Sequence, residues 1–349
     1  MTAPIAHYRF VPGEFDADAW DGLITAAAGH NLIQTWAYGE AKAAQGPWRA
    51  ERGTIVDGGG ARVGAAQAMV RRVPVIGGGI AWINRGPLSL DADGEVRPTD
   101  GHQAAMLAAL KRHFCDQRGL YLRLAPMVAQ SAFDPAWATA AGLTQTAVPG
   151  WASAVVDLTQ PPDTLRNCLH RKWRNHLAKA ERADITVRQG HDAEIFTAFL
   201  DGHHAHLERL GPEAGLDAGL LTALQACLPQ ARKFYLLLAS VDGEPASGMA
   251  FVKYGRSAEY LAGHNNPLGR GVNAGQLLLW TAINRLRADG FERLDLGGMD
   301  EHATTPGIFE FKQRVGGTPY RLANELESIP NSLVGRLVRA SVARARPGA

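Results

Sequence analysis

Residues 294–299 read Leu-Asp-Leu-Gly-Gly-Met, and residues 307–312 read Gly-Ile-Phe-Glu-Phe-Lys. The first stretch is typical of a short strand that ends in paired glycines, and the second places a lysine directly after an aromatic residue. Glycine has no Cβ and lets a backbone approach a ligand closely. The two stretches therefore predict a pocket beside which backbone amides and a cation converge.

The order of elements that leads to the glycine pair also occurs earlier in the chain. It consists of two strands joined by a glycine-containing turn, a third strand, a helix closed by glycine, and a fourth strand. The first copy uses residues 54–58, 63–70, 79–83, a helix around 106–114, and 120–124; the second uses 234–240, 248–254, 258–262, a helix around 277–286, and 291–296. This repetition predicts a duplicated domain.

The fold class expected from this pattern is α/β (α+β), with two tandem mixed sheets flanked by helices and an interdomain cleft. The order of elements resembles the GCN5-related N-acyltransferase fold. Proline and glycine punctuate the chain between Thr146 and Asp163. The predicted domains are residues 1–150, which hold substrate, and 151–330, which carry the chemistry, followed by a basic tail at 331–349.

Composition narrows the class of protein. Of 349 residues, 46% are hydrophobic and 20% charged, as in globular proteins, and the net charge of +2 is too small to argue for nucleic-acid binding by itself. The start lacks a basic segment followed by an apolar one, so a cytoplasmic protein is expected. The three cysteines are far apart and predict neither a disulfide framework nor a metal site.

The chain resembles the FemAB family of aminoacyltransferases, also called Fem-type peptidoglycan bridge-forming enzymes, over nearly its whole length. The residues that carry the resemblance are Gln34-Thr35-Trp36 leading to Lys42, Arg85-Gly86-Pro87, the basic segment from Arg166 to Arg182, Gln276 to Trp280, Asp295-Leu296-Gly297-Gly298, and Phe311-Lys312. It implies transfer of an amino acid from aminoacyl-tRNA to an amine of a UDP-linked or lipid-linked muropeptide. It thereby implies a role in peptidoglycan biosynthesis, cell-wall organisation and cell shape.

The resemblance also implies roles for particular residues. Lys42 and Arg85 would hold substrate phosphates, with Trp36 beside them, and Phe311 and Lys312 would lie at the reaction centre. Two departures limit the likeness. Ala125-Pro126 follows the first domain's last strand where several members carry an acidic residue, and no stretch is long enough for the helical arm of the longer members.

Lys312 is the leading catalytic candidate, because acyl transfer passes through an oxyanion that a preplaced cation or backbone amides stabilise. The alternative is a surface lysine after a buried Phe311. Asp295 is expected to orient a partner or accept a proton, or else to pair with Arg293 or Lys312 for structural reasons. Gly297 and Gly298 are expected to approach the substrate, although a plain tight turn would also explain them.

Residues 165–182 combine apolar residues at helical spacing with a basic face, and predict one amphipathic helix. Its polyanion-binding candidates are Arg171, Lys172 and Arg174, which would contact a nucleotide diphosphate, a lipid pyrophosphate or a tRNA stem. The alternative is a solvated face that covers the core.

The loop at 265–275 lies between a strand and a helix, where a GCN5-type enzyme cradles the pyrophosphate of acetyl-CoA. Its sequence only partly matches the usual pattern, which leaves acyl-CoA as the alternative donor. Substrate contacts are expected from Asn265, Asn273 and Gln276, and from Arg209 on another helix. His204 and Glu208 have metal-ligand spacing, but the three histidines at 203, 204 and 206 are expected at the surface.

Three functions are therefore open. The first is a monomeric aminoacyltransferase without a resident cofactor; the second is an acyl-CoA-dependent N-acyltransferase acting on a small amine or lipid. The third is a non-catalytic module that binds an anionic ligand. The basic segment at 333–346 would allow peripheral membrane contact that suits a lipid-linked acceptor, and a packed terminal helix is the alternative.

Overall fold

The computed structural model describes residues 7–27, 29–73, 78–90, 100–211 and 216–344. These residues form two compact units. The first contains the described residues up to Trp151 together with those from Arg321 onwards, and the second is Ala152–Tyr320. Within the described ranges, no helix is long and apolar enough to cross a membrane.

The strands and helices of the described chain are labelled in chain order. The strands are β1 (Arg9–Pro12), β2 (Arg49–Val56), β3 (Arg62–Arg72), β4 (Gly79–Asn84), β5 (Leu88–Ser89), β6 (Tyr121–Ala125), β7 (Thr144–Gln145), β8 (Ala152–Asp157), β9 (Thr186–Gly190), β10 (Tyr235–Val241), β11 (Glu244–Tyr254), β12 (Ser257–Asn265), β13 (Arg293–Asp295), β14 (Thr318–Arg321) and β15 (Leu326–Ser328). The helices are α1 (Ala17–Ala26), α2 (Trp36–Ala44), α3 (Asp100–Lys111), α4 (Pro135–Ala140), α5 (Pro162–Cys168), α6 (Arg171–Ala180), α7 (Ala193–Leu210), α8 (Ala218–Cys227), α9 (Pro267–Gly271), α10 (Ala274–Ala288), α11 (Pro306–Gln313) and α12 (Leu333–Arg344).

Each unit is built around one mixed sheet. The first has the order β1-β2-β3-β4-β6-β15-β7, with β5 beside β3, and the second has the order β14-β8-β13-β12-β11-β10-β9. In each, an antiparallel three-stranded meander leads through a helical crossover to a parallel neighbour, β4 to β6 and β12 to β13. The predicted α/β fold with a duplicated order of strands is confirmed.

The C-terminal segment corrects the predicted domain limits. Residues 326–328 form β15, which pairs with β6 and β7 of the first sheet. Helix α12 packs its valines on Ile80 and Tyr121 of the same unit. The chain therefore returns to the first unit after Tyr320, and residues 331–344 are not a separate tail. The last residues of the predicted tail, 345–349, lie outside the described residues.

The predicted basic helix at 165–182 is two helices, α5 and α6. Leu169 and His170 between them have extended backbone. Leu169 is buried, and the His170 N–H donates to the Arg314 carbonyl at 2.9 Å. The His170 Nδ1 accepts from the Lys172 N–H and begins the second helix. Burial of Leu169 and these two bonds outweigh the local helical periodicity.

A buried ion pair fixes the returning C-terminal segment to the first sheet. Arg123 on β6 donates to Glu325 just before β15, and both side chains are 9% exposed. Removing one partner of a buried pair leaves the other charge without compensation in a poorly solvated site, which costs about 3–5 kcal/mol.

We therefore expect Arg123→Met to lower the free energy of unfolding of the first unit by about 3–5 kcal/mol. The exposed pair Arg256–Glu292 provides a control, and Arg256→Met should cost less than about 1 kcal/mol. Urea unfolding followed by tryptophan fluorescence suits the test, because six of the eight tryptophans lie in the first unit: residues 20, 36, 48, 82, 137 and 151. Equal losses in the two variants would contradict this assignment.

Candidate functional site

The parallel strands β12 and β13 separate soon after they meet. They pair from Ser257 with Arg293 to Glu259 with Asp295, and β12 then continues to Asn265. The chain after β13 instead follows β8, because the Leu296 and Met299 N–H groups donate to carbonyls of that strand. The corresponding strands of the first unit, β4 and β6, stay paired over five residues. The pairing of β12 with β13 therefore ends before residues 296–299, and we call this break in the sheet the opening.

Asp295 holds the turn at the edge of this opening. Its Oδ1 accepts from the Gly297 N–H at 2.8 Å and its Oδ2 accepts from the Tyr320 hydroxyl at 2.5 Å. The Ser153 hydroxyl lies 2.5 Å from Asp295 Oδ1 and 2.8 Å from the Gly297 carbonyl. Asp295 is thus engaged by three donors. This arrangement assigns it to positioning the glycine turn.

Gly297 brings two backbone segments unusually close. Its φ of +71° lies in the left-handed region, and a Cβ there would lie 2.5 Å from the Tyr260 carbonyl oxygen and 3.4 Å from the Lys312 Nζ. A side chain at this position would push the turn away from β12. Gly297 therefore meets a steric requirement, in addition to forming a turn.

Lys312 places its ammonium in the same opening. The side chain comes from α11, is 7% exposed, and donates from Nζ to the Gly298 carbonyl at 3.0 Å. The Nζ also lies 5.1 Å from the centroid of the Tyr260 ring, within the range of a cation–π contact. The alternative of a surface lysine is thus wrong for Lys312.

Burial lowers the pKa of Lys312 to about 8, and the negative charges of Asp295 and Glu259 raise it in part. Glu259 is itself buried on β12 and accepts from the Tyr254 hydroxyl. At neutral pH the lysine is therefore mostly an ammonium in a poorly solvated site. An ammonium has three N–H donors, and Gly298 accepts one of them. Such a group can stabilise an anion that develops within reach.

Phe311 points from α11 toward the start of α10. Its ring packs on Trp173 of α6 at a centroid distance of 5.9 Å, and the Trp173 indole N–H donates to the Phe311 carbonyl. A Cβ on Gly275 would lie 3.8 Å from the Phe311 ring. Phe311 and Lys312 therefore connect the opening to the first turn of α10.

The loop before α10 supplies further polar groups. Asn273 has a left-handed backbone and makes no side-chain cap to the helix. Asn265 ends β12, and its buried Oδ1 has no hydrogen-bond partner among the described residues. A Cβ on Gly275 would lie 3.4 Å from Asn265 Nδ2, so Asn265 adjoins the helix start. Gln276 lies in the same turn and is half-buried.

The basic surface of α6 lies beside α11. Arg171 and Lys172 are exposed, while Arg174 donates to the Asn167 carbonyl. Arg166, which the sequence places on the same face, forms a two-fold ion pair with Glu181. Burial, followed by the positive charges of Lys172, Lys179 and Arg314, lowers the pKa of His176. A net positive field therefore flanks the Phe311–Lys312 pair.

Arg209 and the histidines at 203, 204 and 206 belong to α7. Arg209 is exposed and contacts His206. His203 is fully buried and bonds the Leu216 carbonyl, so the expectation of surface histidines is wrong for this residue and right for His204. No group of three or more histidine, cysteine or acidic side chains in the described chain is arranged to hold a metal ion.

The first unit has a separate narrow cleft around Lys42. Its lining combines this half-buried cation with aliphatic, aromatic and amide side chains. The lining residues are Ile33, Gln34, Tyr38, Lys42, Gln67, Met69, Trp82 and Asn84. The Gln34 side chain donates to the Gln67 carbonyl and accepts from the Gln67 N–H, and the Gln67 side chain donates to two further backbone carbonyls. The wall beside Lys42 is therefore rigid.

Trp36 and Arg85 are not part of that lining. The Trp36 ring stacks under the Arg52 guanidinium at 3.6 Å, and Arg52 also bonds Gln67. Arg85 is 5% exposed and lies 4.0 Å above the Trp151 ring. In the described structure, Trp36 and Arg85 therefore make packing contacts within the first unit, whereas Lys42 faces a cleft.

Four residues of the opening are not predicted as site residues from the sequence: Ser153, Glu259, Tyr260 and Tyr320. Ser153 and Tyr320 belong to strands far from Asp295 in the chain, and no local pattern predicts their convergence. Glu259 carries a signal, because a carboxylate within the apolar run Ala258 to Ala262 predicts a buried charge. The electrostatic interaction of Glu259 with Lys312 could not be predicted from the sequence.

The comparisons with known proteins agree with this architecture. Residues 167–313 match the model of the acetyltransferase (GNAT) domain. The crystal structure of FemX superposes with a TM-score of 0.77 at 17% identity, covering 94% of this chain and 99% of FemX. The chain has the tandem GNAT fold of FemX. The matched residues 167–313 lie within the second unit, which has the GNAT fold, and the predicted tandem GNAT architecture is confirmed.

Two further structures share the fold over most of their length. One is the C-terminal domain of a putative lysylphosphatidylglycerol synthetase from Agrobacterium fabrum, with 13% identity, coverage of 94% and 95%, and a TM-score of 0.54. The other is a tandem GNAT protein from the clavulanic acid biosynthesis pathway, with 15% identity, coverage of 92% and 98%, and a TM-score of 0.51. No curated protein sequence matches this chain.

The glycine turn generates a prediction about sterics. Gly297 and Gly290 both have positive φ, but a Cβ on Gly290 meets open space. Gly290→Ala should lower the free energy of unfolding of the second unit by about 1–2 kcal/mol, the cost of left-handed backbone. Gly297→Ala should cost about 1–3 kcal/mol more, because it also overpacks the contact with Tyr260. Hydrogen exchange of the α10 amides would measure both losses, and equal values would refute the close approach.

Proposed function

We propose that the protein is an aminoacyltransferase that moves an amino acid from aminoacyl-tRNA to an amine of a peptidoglycan precursor or a related acceptor. The observation that carries the proposal is Lys312, a buried ammonium at the opening of a GNAT acyltransferase domain. The Fem-type resemblance and the tandem GNAT fold support the choice of an aminoacyl group.

The reaction would be aminolysis of an ester. The acceptor amine attacks the ester carbonyl, a C–N bond forms, and the carbonyl oxygen becomes an oxyanion. When the intermediate collapses, the C–O bond to the tRNA ribose breaks, and the proton lost by the amine ends on the ribose oxygen. An ammonium within hydrogen-bond reach stabilises the oxyanion most when water is excluded. Lys312 is suited to that role by its burial and by the N–H groups not donated to Gly298.

The donor tRNA is assigned to the surface of α6. Arg171 and Lys172 are exposed there, and Trp173 from the same helix packs on Phe311 next to Lys312. Exposed cations bind phosphates without needing a particular base sequence. The geometry within the second unit therefore supports docking of an acceptor stem beside the reaction centre.

The acceptor phosphates are assigned to Lys42 in the cleft of the first unit. A lysine binds phosphate as a point charge and tolerates several ligand geometries. Arg85 is a weaker candidate than the resemblance implies, because its guanidinium is buried over Trp151.

An acyl-CoA donor is the second candidate function. The start of α10 favours it, since Asn273 leaves the first amides of this helix without a side-chain cap, and helix N-termini bind phosphate. The acceptor would then be a small amine or lipid.

The test is a transfer assay with charged tRNA and a UDP-linked muropeptide. We expect a product heavier by one amino-acid residue, and we expect Lys312→Met to lower kcat by about 10²–10³-fold, because it removes one oxyanion donor. Binding of charged tRNA should change little. Lys253→Met is a matched control, since Lys253 is also a partly buried lysine of the second unit with a lowered pKa.

Transfer from acetyl-CoA but from no charged tRNA would refute the aminoacyl donor and favour the second candidate. Full activity of Lys312→Met would refute the role of the ammonium. If neither donor supports transfer while tRNA or muropeptide still binds, the protein is a binding module.

A further inference from the structure

Helix α12 is held on the first unit by one face. Val334, Val338 and Val342 follow helical spacing and pack against Ile80 and Tyr121. Arg339 adds a two-fold ion pair to the buried Glu327 of β15. These contacts fix the rotation of the helix about its axis.

A second side of α12, adjacent to the valine face, carries two exposed leucines. Leu333 is 77% exposed and Leu337 is 67% exposed, whereas no other large apolar side chain in the described chain exceeds 40%. Residues four apart lie side by side on a helix, so the two leucines form one patch. Ile329, 38% exposed, precedes the same helix. Because the valine face is already packed, the leucines cannot turn inward.

The charge around this patch has one sign. Residues 331–349 contain four arginines, at 336, 339, 344 and 346, and no aspartate or glutamate. Arg336 is exposed between the two leucines in sequence. A helix with protruding leucines and only basic charge complements a surface that is anionic outside and apolar beneath.

We propose that α12 binds the surface of an anionic lipid bilayer, with Leu333 and Leu337 inserted at the boundary of the acyl chains and Arg336 among the headgroups. The all-basic charge favours this occupant over a second copy of the chain, which would present the same arginines. The contact is reversible, because two leucines and a few arginines supply a modest affinity. This inference goes beyond the proposed transfer reaction and does not depend on it.

The experiment is sedimentation of the full chain with vesicles of phosphatidylcholine, with and without phosphatidylglycerol. We expect binding to the anionic vesicles that is at least about tenfold tighter than to the neutral ones and that weakens with salt. The double variant Leu333→Ser with Leu337→Ser should bind at least about tenfold more weakly. Leu268→Ser, at a leucine 39% exposed in the second unit, is the control and should bind like the parent.

Three results would overturn the proposal: no binding to anionic vesicles, equal binding to neutral ones, or unchanged binding by the double leucine variant. A dimer that the leucine substitutions dissociate, without any vesicle binding, would show that a second copy covers the patch. Aminoacyl transfer to a soluble UDP-linked acceptor should be the same in the leucine variants and the parent protein. A failure of the transfer proposal is thereby distinguishable from a failure of this one.

Discussion

The burial of one ammonium group is the constraint on which the second unit depends. Taking a cation out of water is costly unless nearby groups compensate it. Lys312 is compensated by the Gly298 carbonyl, the Tyr260 ring and the carboxylates of Asp295 and Glu259. The compensation is partial, since the pKa of Lys312 still falls to about 8. A site that keeps a charge under such conditions is suited to stabilising an opposite charge that appears only during a reaction.

The two units use the same fold in different ways. Leu-Arg-Leu at 122–124 and Leu-Asp-Leu at 294–296 occupy the same strand of their sheets. In the first unit the central Arg123 is neutralised by Glu325, and β4 and β6 remain paired. In the second, Asp295 folds the glycine turn, and the parallel strands part. The first copy therefore closes its sheet, whereas the second leaves an opening that Lys312 enters.

The sequence predicts the parts of this arrangement that depend on local pattern. Strand order, the duplication and the glycine turn follow from periodicity and composition, and the resemblance selects Phe311 and Lys312 as site candidates. The break of the basic helix at Leu169 and His170 could not be predicted, because it depends on a bond to Arg314 far along the chain. The same applies to Ser153 and Tyr320 around Asp295, and to the return of β15 to the first sheet. The resemblance implies that Arg85 holds a substrate phosphate, but its guanidinium instead lies over the Trp151 ring.

The most direct measurement of the central claim is the titration of Lys312 by NMR of the protein labelled with ¹³C at lysine Cε, with the Lys312→Met spectrum assigning the signal. We predict a pKa of about 8 for Lys312. We also predict a lower pKa in Glu259→Gln, because that variant loses a negative charge that favours the ammonium. A Lys312 pKa at the ordinary value of about 10.4, unchanged in Glu259→Gln, would contradict the account.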